Sequence, residues 1–279
     1  MKALITGISG TLGKAVTKIL IGDGFDIIGY SRDELKQSQI EKHQKLTLYL
    51  GDIRDRERLI EASRGVDIIF HFAALKRVDA LEENPEEAYK TNVMGTDNVL
   101  HAQRHNNIHK VVLSSTDKAC YPINTYGCTK KISEALVLRN KNNIVCRYGN
   151  VMASRGSAIP VFVDQINKGQ PVTITDMRMT RFFITADQAA NFVVNSSYFY
   201  GGLWVPQMKA CKMTEVAMAI GEILDKPVSF KDIGIRSGEK LHECLKMSNE
   251  GEEVFSNTAP QYTMDELKEL LKPIVESCL

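Results

Sequence analysis

Residues 114–130 read Ser-Ser-Thr-Asp-Lys-Ala-Cys-Tyr-Pro-Ile-Asn-Thr-Tyr-Gly-Cys-Thr-Lys, so one acid, two lysines and two tyrosines follow directly on an apolar run. Within it, Tyr126 and Lys130 stand four residues apart, and on a helix positions i and i+4 share a face. An ammonium beside a phenol favours the phenolate, which would let Tyr126 take a proton near neutral pH. Thr116, Asp117 and Lys118 lie just upstream and add a hydroxyl, a carboxyl and an amine. The bland alternative is a charged turn leading into a helix, with Cys128 as a small helix residue facing away from any site.

A second stretch says what such a base could serve. Thr6-Gly7-Ile8-Ser9-Gly10-Thr11-Leu12-Gly13 follows the first strand-like run and precedes a helix-patterned one. Glycines there let the backbone turn and approach a pyrophosphate, while the helix amino terminus favours negative charge. We therefore assign Thr6, Gly7, Ser9, Gly10, Thr11, Leu12 and Gly13 to a dinucleotide. At the end of the second strand an NAD site usually offers an acid, yet Ser31 and Arg32 precede the first one, Asp33. A hydroxyl and a guanidinium suit a 2′-phosphate, so NADP is the expected cofactor, with Lys36 at the same site. Alternatively, Arg32 is a solvated surface residue and Asp33 caps the next helix. Asp52 and Ile53 after the third strand are placed at the adenine, and Ala73 and Ala74 after the fourth are small enough to admit the cofactor. Tyr126 and Lys130 complete the cofactor set.

The elements that must position these groups are legible as alternating runs. Lys2–Thr6, 25–30, Leu46–Leu50, 66–72, Lys110–Ser114 and 143–148 are continuous apolar segments, as strands buried on both faces require. Helix-patterned crossovers lie between them, one of them beginning at Asn84-Pro85 and running to about Gln103, so the fold class is α/β, a Rossmann-like doubly wound parallel sheet. After Tyr148 glycines and prolines break the rhythm. We expect an NADP-binding domain over residues 1–150, to which a helix near 186–196 returns, and a smaller substrate-binding lobe over 151–279.

Composition excludes several functions. Lysine plus arginine number 35 against 34 for aspartate plus glutamate, so net charge points to no nucleic-acid or membrane-surface partner. No apolar run reaches membrane-spanning length, and six scattered cysteines without a C-x-x-C pair fit reduced thiols, so a cytoplasmic protein is expected. His101, His105 and His109 recur every four residues, but no acid or thiol completes a metal site, and none is expected. Met208, Met213 and Met218 read as core filler.

Taken together, the glycine turn, Ser114-Ser115-Thr116 and Tyr126-x-x-x-Lys130 resemble the short-chain dehydrogenase/reductase superfamily in its extended, nucleotide-sugar-modifying branch. Thr116-Asp117-Lys118 stands where sugar 4,6-dehydratases of that branch carry Thr-Asp-Glu or Thr-Asp-Lys. Phe72-Ala73-Ala74-Leu75-Lys76, Thr91-Asn92-Val93, Arg147-Tyr148-Gly149-Asn150-Val151, Ser154-Arg155-Gly156-Ser157, Met179-Thr180-Arg181-Phe182-Phe183 and the run from Arg236 to Glu243 are similar to the inverting UDP-N-acetylglucosamine 4,6-dehydratases of pseudaminic acid and capsule-sugar synthesis. The resemblance implies a NADP-dependent lyase and a UDP-sugar substrate. In such a cycle Tyr126 with Lys130 would oxidise carbon 4, Lys118 would take the carbon 5 proton, Asp117 would protonate the leaving water, and Thr116 would bond the ketone oxygen. Lys118 must then be neutral part of the time, helped by Lys76 and Lys130. Arg155, Arg181 and Arg236 are the diphosphate candidates. By resemblance Asn150 and Lys76 approach sugar and phosphate, Thr173 faces the uracil, Glu239 a ribose hydroxyl, and Val151 and Met179 line the same site. A homo-oligomer is implied too. A retaining 4,6-dehydratase, a 4-epimerase, and a non-catalytic NADP-sensing protein of the same fold stay open.

Overall fold

Four residues, Ile28, Leu4, Ile69 and Val111, lie side by side across adjacent parallel strands, each nearly or wholly buried. Rows like this hold the central sheet together, each aliphatic side chain contributing about 1.5–3 kcal/mol by leaving water. The computed structural model describes residues 1–152, 154 and 157–279. Its strands are β1 (Lys2–Thr6), β2 (Asp26–Ser31), β3 (Leu46–Leu50), β4 (Ile68–His71), β5 (Lys110–Ser114), β6 (Ile144–Cys146), β7 (Asn150–Val151), β8 (Val172–Ile174), β9 (Thr180–Ile184), β10 (Gly202–Trp204), β11 (Ala210–Lys212), β12 (Phe230–Asp232), β13 (Cys244–Lys246) and β14 (Val254–Phe255). Its helices are α1 (Thr11–Gly22), α2 (Glu34–Ser38), α3 (Arg56–Ala62), α4 (Val78–Glu83), α5 (Pro85–Ala88), α6 (Gly95–His105), α7 (Thr125–Val137), α8 (Ala158–Asn167), α9 (Ala186–Ser197), α10 (Met213–Leu224) and α11 (Met264–Glu276).

The chain divides into two units, Met1–Arg147 with Asp187–Pro206, and Tyr148–Ala186 with Gln207–Leu279. In the first, seven parallel strands run in the order β10-β6-β5-β4-β1-β2-β3 with helices between successive strands. Parallel pairing and buried continuous runs are the doubly wound α/β pattern. The edge strand β10 was not among the expected strands. It is three residues long and begins on a glycine, too short to give a periodic signal.

Between α5 and α6 the helix changes pitch. Pro85 opens α5, but the Asn84 side chain donates to Ala80 O at 2.8 Å instead of capping. A π turn (Tyr89–Met94) then interrupts the helical run before α6. There the Asn92 amide accepts from Leu75 N at 2.8 Å and donates to Leu75 O at 2.9 Å and to Thr129 Oγ1 on α7 at 3.1 Å. The π turn thus fastens the segment after β4 to the helix carrying Tyr126.

The second unit has smaller sheets, β11-β9-β7, β12-β8 and β13-β14, packed with α8, α10 and α11 around Phe162, Ile166, Val216, Ile220, Leu267 and Leu271. A reciprocal cap starts α11, Thr263 accepting from Glu266 N while Glu266 accepts from Thr263 N. Met208 and Met213 are buried, as core filler should be, whereas Met218 is 39% exposed on the outer face of α10. Among the described residues no helix is long and apolar enough to cross a membrane.

Candidate functional site

The glycine turn forms by close approach of main chain to main chain. Gly7 takes φ +71°, and a Cβ there would lie 2.8 Å from Ala73 N, while one on Gly13 would lie 2.6 Å from Gly7 O. Gly7 N donates to Tyr30 O at 2.8 Å, and Gly10 occupies the cap position of α1 without a side chain. Thr11, Leu12 and Gly13 make the first turn of that helix, with Ser9 buried just before it and Ala73, followed by Ala74 in the chain, next to Gly7. A helix start crowded by backbone and free of bulk fits a pyrophosphate.

At the end of β2 the acidic groups are engaged. Asp33 caps α2 by accepting from Lys36 N at 2.9 Å and also pairs with the Lys36 ammonium. Ser31 is buried and accepts from Gln37 Nε2 at 3.0 Å. Arg32 is largely exposed, 3.6 Å from Asp52. Burial alone would raise the Asp52 carboxyl; the hydrogen bonds and charge of Arg54, with Arg32 behind them, outweigh it and hold the group below its usual range. Ile53 is buried against Gly95.

The reactive set gathers at the carboxyl end of β5. Thr116 caps the short 3₁₀ turn Asp117–Ala119, accepting from Lys118 N at 3.3 Å, and its hydroxyl donates to Asp117 Oδ1 at 3.0 Å. Lys118 Nζ meets the same oxygen at 3.0 Å, and the Asp117 side chain is fully buried. Asn124 caps α7 through Gly127 N at 2.7 Å. A Cβ on Gly127 would stand 2.2 Å from Lys118 O, so the first turn of α7 rests on the backbone of the lysine turn. Burial pushes the Tyr126 phenol up to about 12, opposed by the charge of Lys118 and a hydrogen bond with Thr116.

The electrostatics differ here from what spacing suggests. Lys130 was expected to favour the phenolate, but its ammonium donates to Ser114 O at 2.7 Å, and the cation acting on Tyr126 is Lys118. Burial brings Lys130 down to about 8, with Glu134 opposing. Lys118 itself lies against Asp117, its ammonium 3.0 Å from Oδ1.

Two buried groups escaped the sequence reading. His71 bridges Thr6 Oγ1 at 2.8 Å and Thr96 Oγ1 at 3.1 Å, and burial, then the charge of Lys130, hold it down at about 3, so the ring stays neutral. A histidine closing a wholly buried strand was the available signal. Glu134 and Arg147 form a fully buried pair at 2.7 Å, and the signal for Glu134 was its place four residues beyond Lys130 on one helical face.

In the second unit a cavity of about 330 Å³ is lined by Asn150, Thr173, Met179, Arg181, Arg236 and Glu239, among others. Gln165 holds Thr173 by two hydrogen bonds, and Glu239 accepts from Arg236 N at 3.3 Å. Arg181 is buried, donating to Thr180 O at 2.8 Å and lying 4.0 Å from Glu243. Val151 lies in β7 and does not line this cavity, Lys76 is an exposed residue of the first unit, and Arg155 falls outside the described residues. His105 and His109 are exposed, and no metal-ligating cluster forms among the described residues.

Residues 3–264 match the family described as polysaccharide biosynthesis protein. The chain is 44% identical over 264 residues to a UDP-N-acetylglucosamine 4,6-dehydratase (inverting) of Campylobacter jejuni subsp. jejuni serotype O:23/36 (strain 81-176), covering 88% of this chain and 78% of that one. It is 39% identical over 265 residues, with the same coverage, to a UDP-glucose 4-epimerase of Rickettsia conorii. Among solved structures, Pen from Bacillus thuringiensis superposes with a TM-score of 0.90 at 28% identity over 97% of this chain and 96% of that one. DesIV, a dTDP-glucose 4,6-dehydratase from Streptomyces venezuelae with NAD bound, shares the fold at a TM-score of 0.83 and 21% identity, covering 99% and 96%. The chain therefore belongs to the polysaccharide biosynthesis protein family, built on the extended short-chain dehydrogenase/reductase fold of nucleotide-sugar dehydratases and epimerases.

Proposed function

We propose that this chain is a UDP-N-acetylglucosamine 4,6-dehydratase, a lyase that inverts carbon 5 and works with NADP as a cytoplasmic homo-oligomer. The observation that carries the reading is the Thr116-Asp117-Lys118 turn, whose lysine pairs with Asp117 and acts on the Tyr126 phenol. An epimerase needs a base at carbon 4; elimination needs a second base and an acid as well, and this turn supplies both. The bound nicotinamide would accept hydride from carbon 4 and return it to carbon 6. Tyr126 takes the carbon 4 hydroxyl proton, and the field of Lys118 favours the phenolate that does so. Thr116 donates to the ketone oxygen, which acidifies carbon 5. Lys118 removes that proton once its own passes to Asp117, already in contact at 3.0 Å, and the protonated Asp117 then gives its proton to the departing hydroxide. Return of a proton to the opposite face of carbon 5, the step that inverts it, falls to Tyr126.

For substrate recognition, Arg236 and Arg181 suit the diphosphate with Arg155 and Lys76, Thr173 the uracil, Glu239 a ribose hydroxyl, and Asn150 the sugar. NADP is supported by Ser31 and Arg32 at the end of β2 and by Asp33, whose carboxylate is already committed to α2 and Lys36. A second reading, 4-epimerisation, is favoured by the 39% identical Rickettsia relative.

The test is incubation with UDP-N-acetylglucosamine in heavy water, followed by NMR. A 6-deoxy-4-keto product carrying deuterium and inverted configuration at carbon 5 is expected. Retained configuration moves the enzyme to the retaining dehydratases, a carbon 4 epimer without deuterium makes it an epimerase, and no turnover leaves a nucleotide-binding protein. Lys118→Ala should keep the cofactor bound and abolish carbon 5 exchange; undiminished product would sink the role of Lys118.

A further inference from the structure

Three strand-end and helix segments meet at one carboxylate. Glu134 Oε1 accepts from Ser115 Oγ at 2.6 Å and from Arg147 Nε at 2.9 Å, and Oε2 accepts from Arg147 Nη2 at 2.7 Å. Lys131 Nζ lies 3.7 Å from Oε2 on the outer side. Glu134 and Arg147 have side chains 2% and 0% exposed. A buried ion pair of this kind gains little over apolar residues of the same shape, because desolvation of both charges offsets their attraction. Stability alone is thus a weak reason for this pair, and what else the carboxylate touches is the better one.

Ser115 immediately precedes Thr116-Asp117-Lys118, and its N–H donates to Cys146 O at 2.7 Å, the residue before Arg147. One carboxylate on α7 therefore fixes the ends of β5 and β6 against the helix that carries Tyr126 and Lys130. Its own position, four residues after Lys130 and eight after Tyr126, puts it on their helical face. The groups acting on Lys130 are the neutral ring of His71 from β4, the carbonyl of Ser114 from β5 and Glu134 from α7 itself; Tyr126 stands one helical turn earlier on α7, with Asp117 and Lys118 acting on it from the 3₁₀ turn, and Arg147 lies beyond Glu134. Among these Glu134 is the acid that acts on the Lys130 ammonium.

We infer that Glu134, bonded to Arg147, is a positioning residue of the reactive centre: it sets the register of the Thr116-Asp117-Lys118 turn through Ser115 and, one helical turn after Lys130 on the same face of α7, supplies the acid nearest that ammonium along the helix. This rests on the dehydratase reading for the reaction it serves, but not for the contacts that carry it. Glu134 touches no reacting atom and acts through Ser115 and Lys130.

The test uses the charge-balanced pair Glu134→Gln with Arg147→Met, which leaves neither member of the ion pair without its partner, and Ser115→Ala as a minimal second variant. Lysines labelled with carbon-13 at Cε report the Lys130 titration by NMR in the protein without substrate, assigned by loss of its signal in Lys130→Arg. In the folded double variant the Lys130 midpoint should fall from near 8 by about one pH unit, as loss of an adjacent acid requires. The alkaline limb of turnover should move down with it, because the ammonium is then lost earlier as pH rises. Ser115→Ala should lower kcat about tenfold with KM for the sugar nucleotide nearly unchanged, the mark of misplaced groups. A double variant that folds yet keeps the wild-type midpoint and pH profile overturns the charge-setting role, and an unchanged kcat in Ser115→Ala overturns the positioning role, whether or not the double variant folds. A wild-type chain that does not turn over would fail the dehydratase reading and leave the Lys130 titration readable.

Discussion

In the first unit the polar groups are largely buried and engaged: part-buried Lys118 with Asp117 at 3.0 Å, Arg147 with Glu134 at 2.7 Å, Lys130 with the Ser114 carbonyl at 2.7 Å, and a neutral His71 held between two threonines. In the second, the cavity is walled partly by an exposed segment, with Ile233 and Arg236 open to water and Arg236 fixed by its own backbone to Glu239. On the proposed dehydratase reading the difference follows from two tasks. Proton transfer works through fields that are strong only away from water, so its groups must be locked before substrate arrives. Recognition of a diphosphate can use guanidinium forks at the surface, whose hydration is lost only on binding.

Substitutions in the two units should therefore separate kcat from KM. Tyr126→Phe removes the proposed base and keeps the ring, and turnover should fall about 10³–10⁴-fold while titration calorimetry shows nucleotide-sugar affinity unchanged; a matching loss of affinity would break the contrast. Arg147→Met alone leaves Glu134 buried without its fork and should cost about 3–5 kcal/mol of stability by urea unfolding. Arg236→Ala should raise KM about tenfold with kcat near that of the wild type, the signature of uniform binding lost. The smallest effect belongs to Arg32→Ala, exposed as it is. A drop in NADP over NAD preference of about fivefold, read from the ratio of dissociation constants, is what a solvated ion pair can contribute.

Legibility in the sequence followed the same division. The strands of the first unit were readable because burial on both faces forces unbroken apolar runs, and Tyr126, Lys130 and Thr116-Asp117-Lys118 lie within one short segment. Their mutual electrostatics were not readable. Spacing puts Lys130 near Tyr126 but cannot say that its ammonium turns to a carbonyl of β5, a contact sixteen residues away in the chain. Glu134 and Arg147 are thirteen residues apart on different elements, and only the packed fold shows that they meet. In the second unit Asn150, Thr173, Arg236 and Glu239 reach one cavity from across more than eighty positions, with no local pattern to connect them. They could be named only because the family's motifs were recognisable. Met218 shows the converse: its residue type suggests core filler, yet it lies on the outer side of α10, 39% exposed.

The contact between Gly127 and Lys118 reaches further than the geometry of one turn. The first turn of the helix leans on the carbonyl of residue 118, a main-chain atom that every amino acid at that position would present to Gly127. On the proposed dehydratase reading the reactive stretch is a socket with a replaceable insert: the frame carrying Tyr126 and Lys130 stays constant, and the insert decides which step follows oxidation at carbon 4. Relatives of one ancestry could diverge into dehydratases and epimerases by exchanging a few residues of that insert, and a chimaera carrying another relative's 116–119 segment is a short route between the two activities.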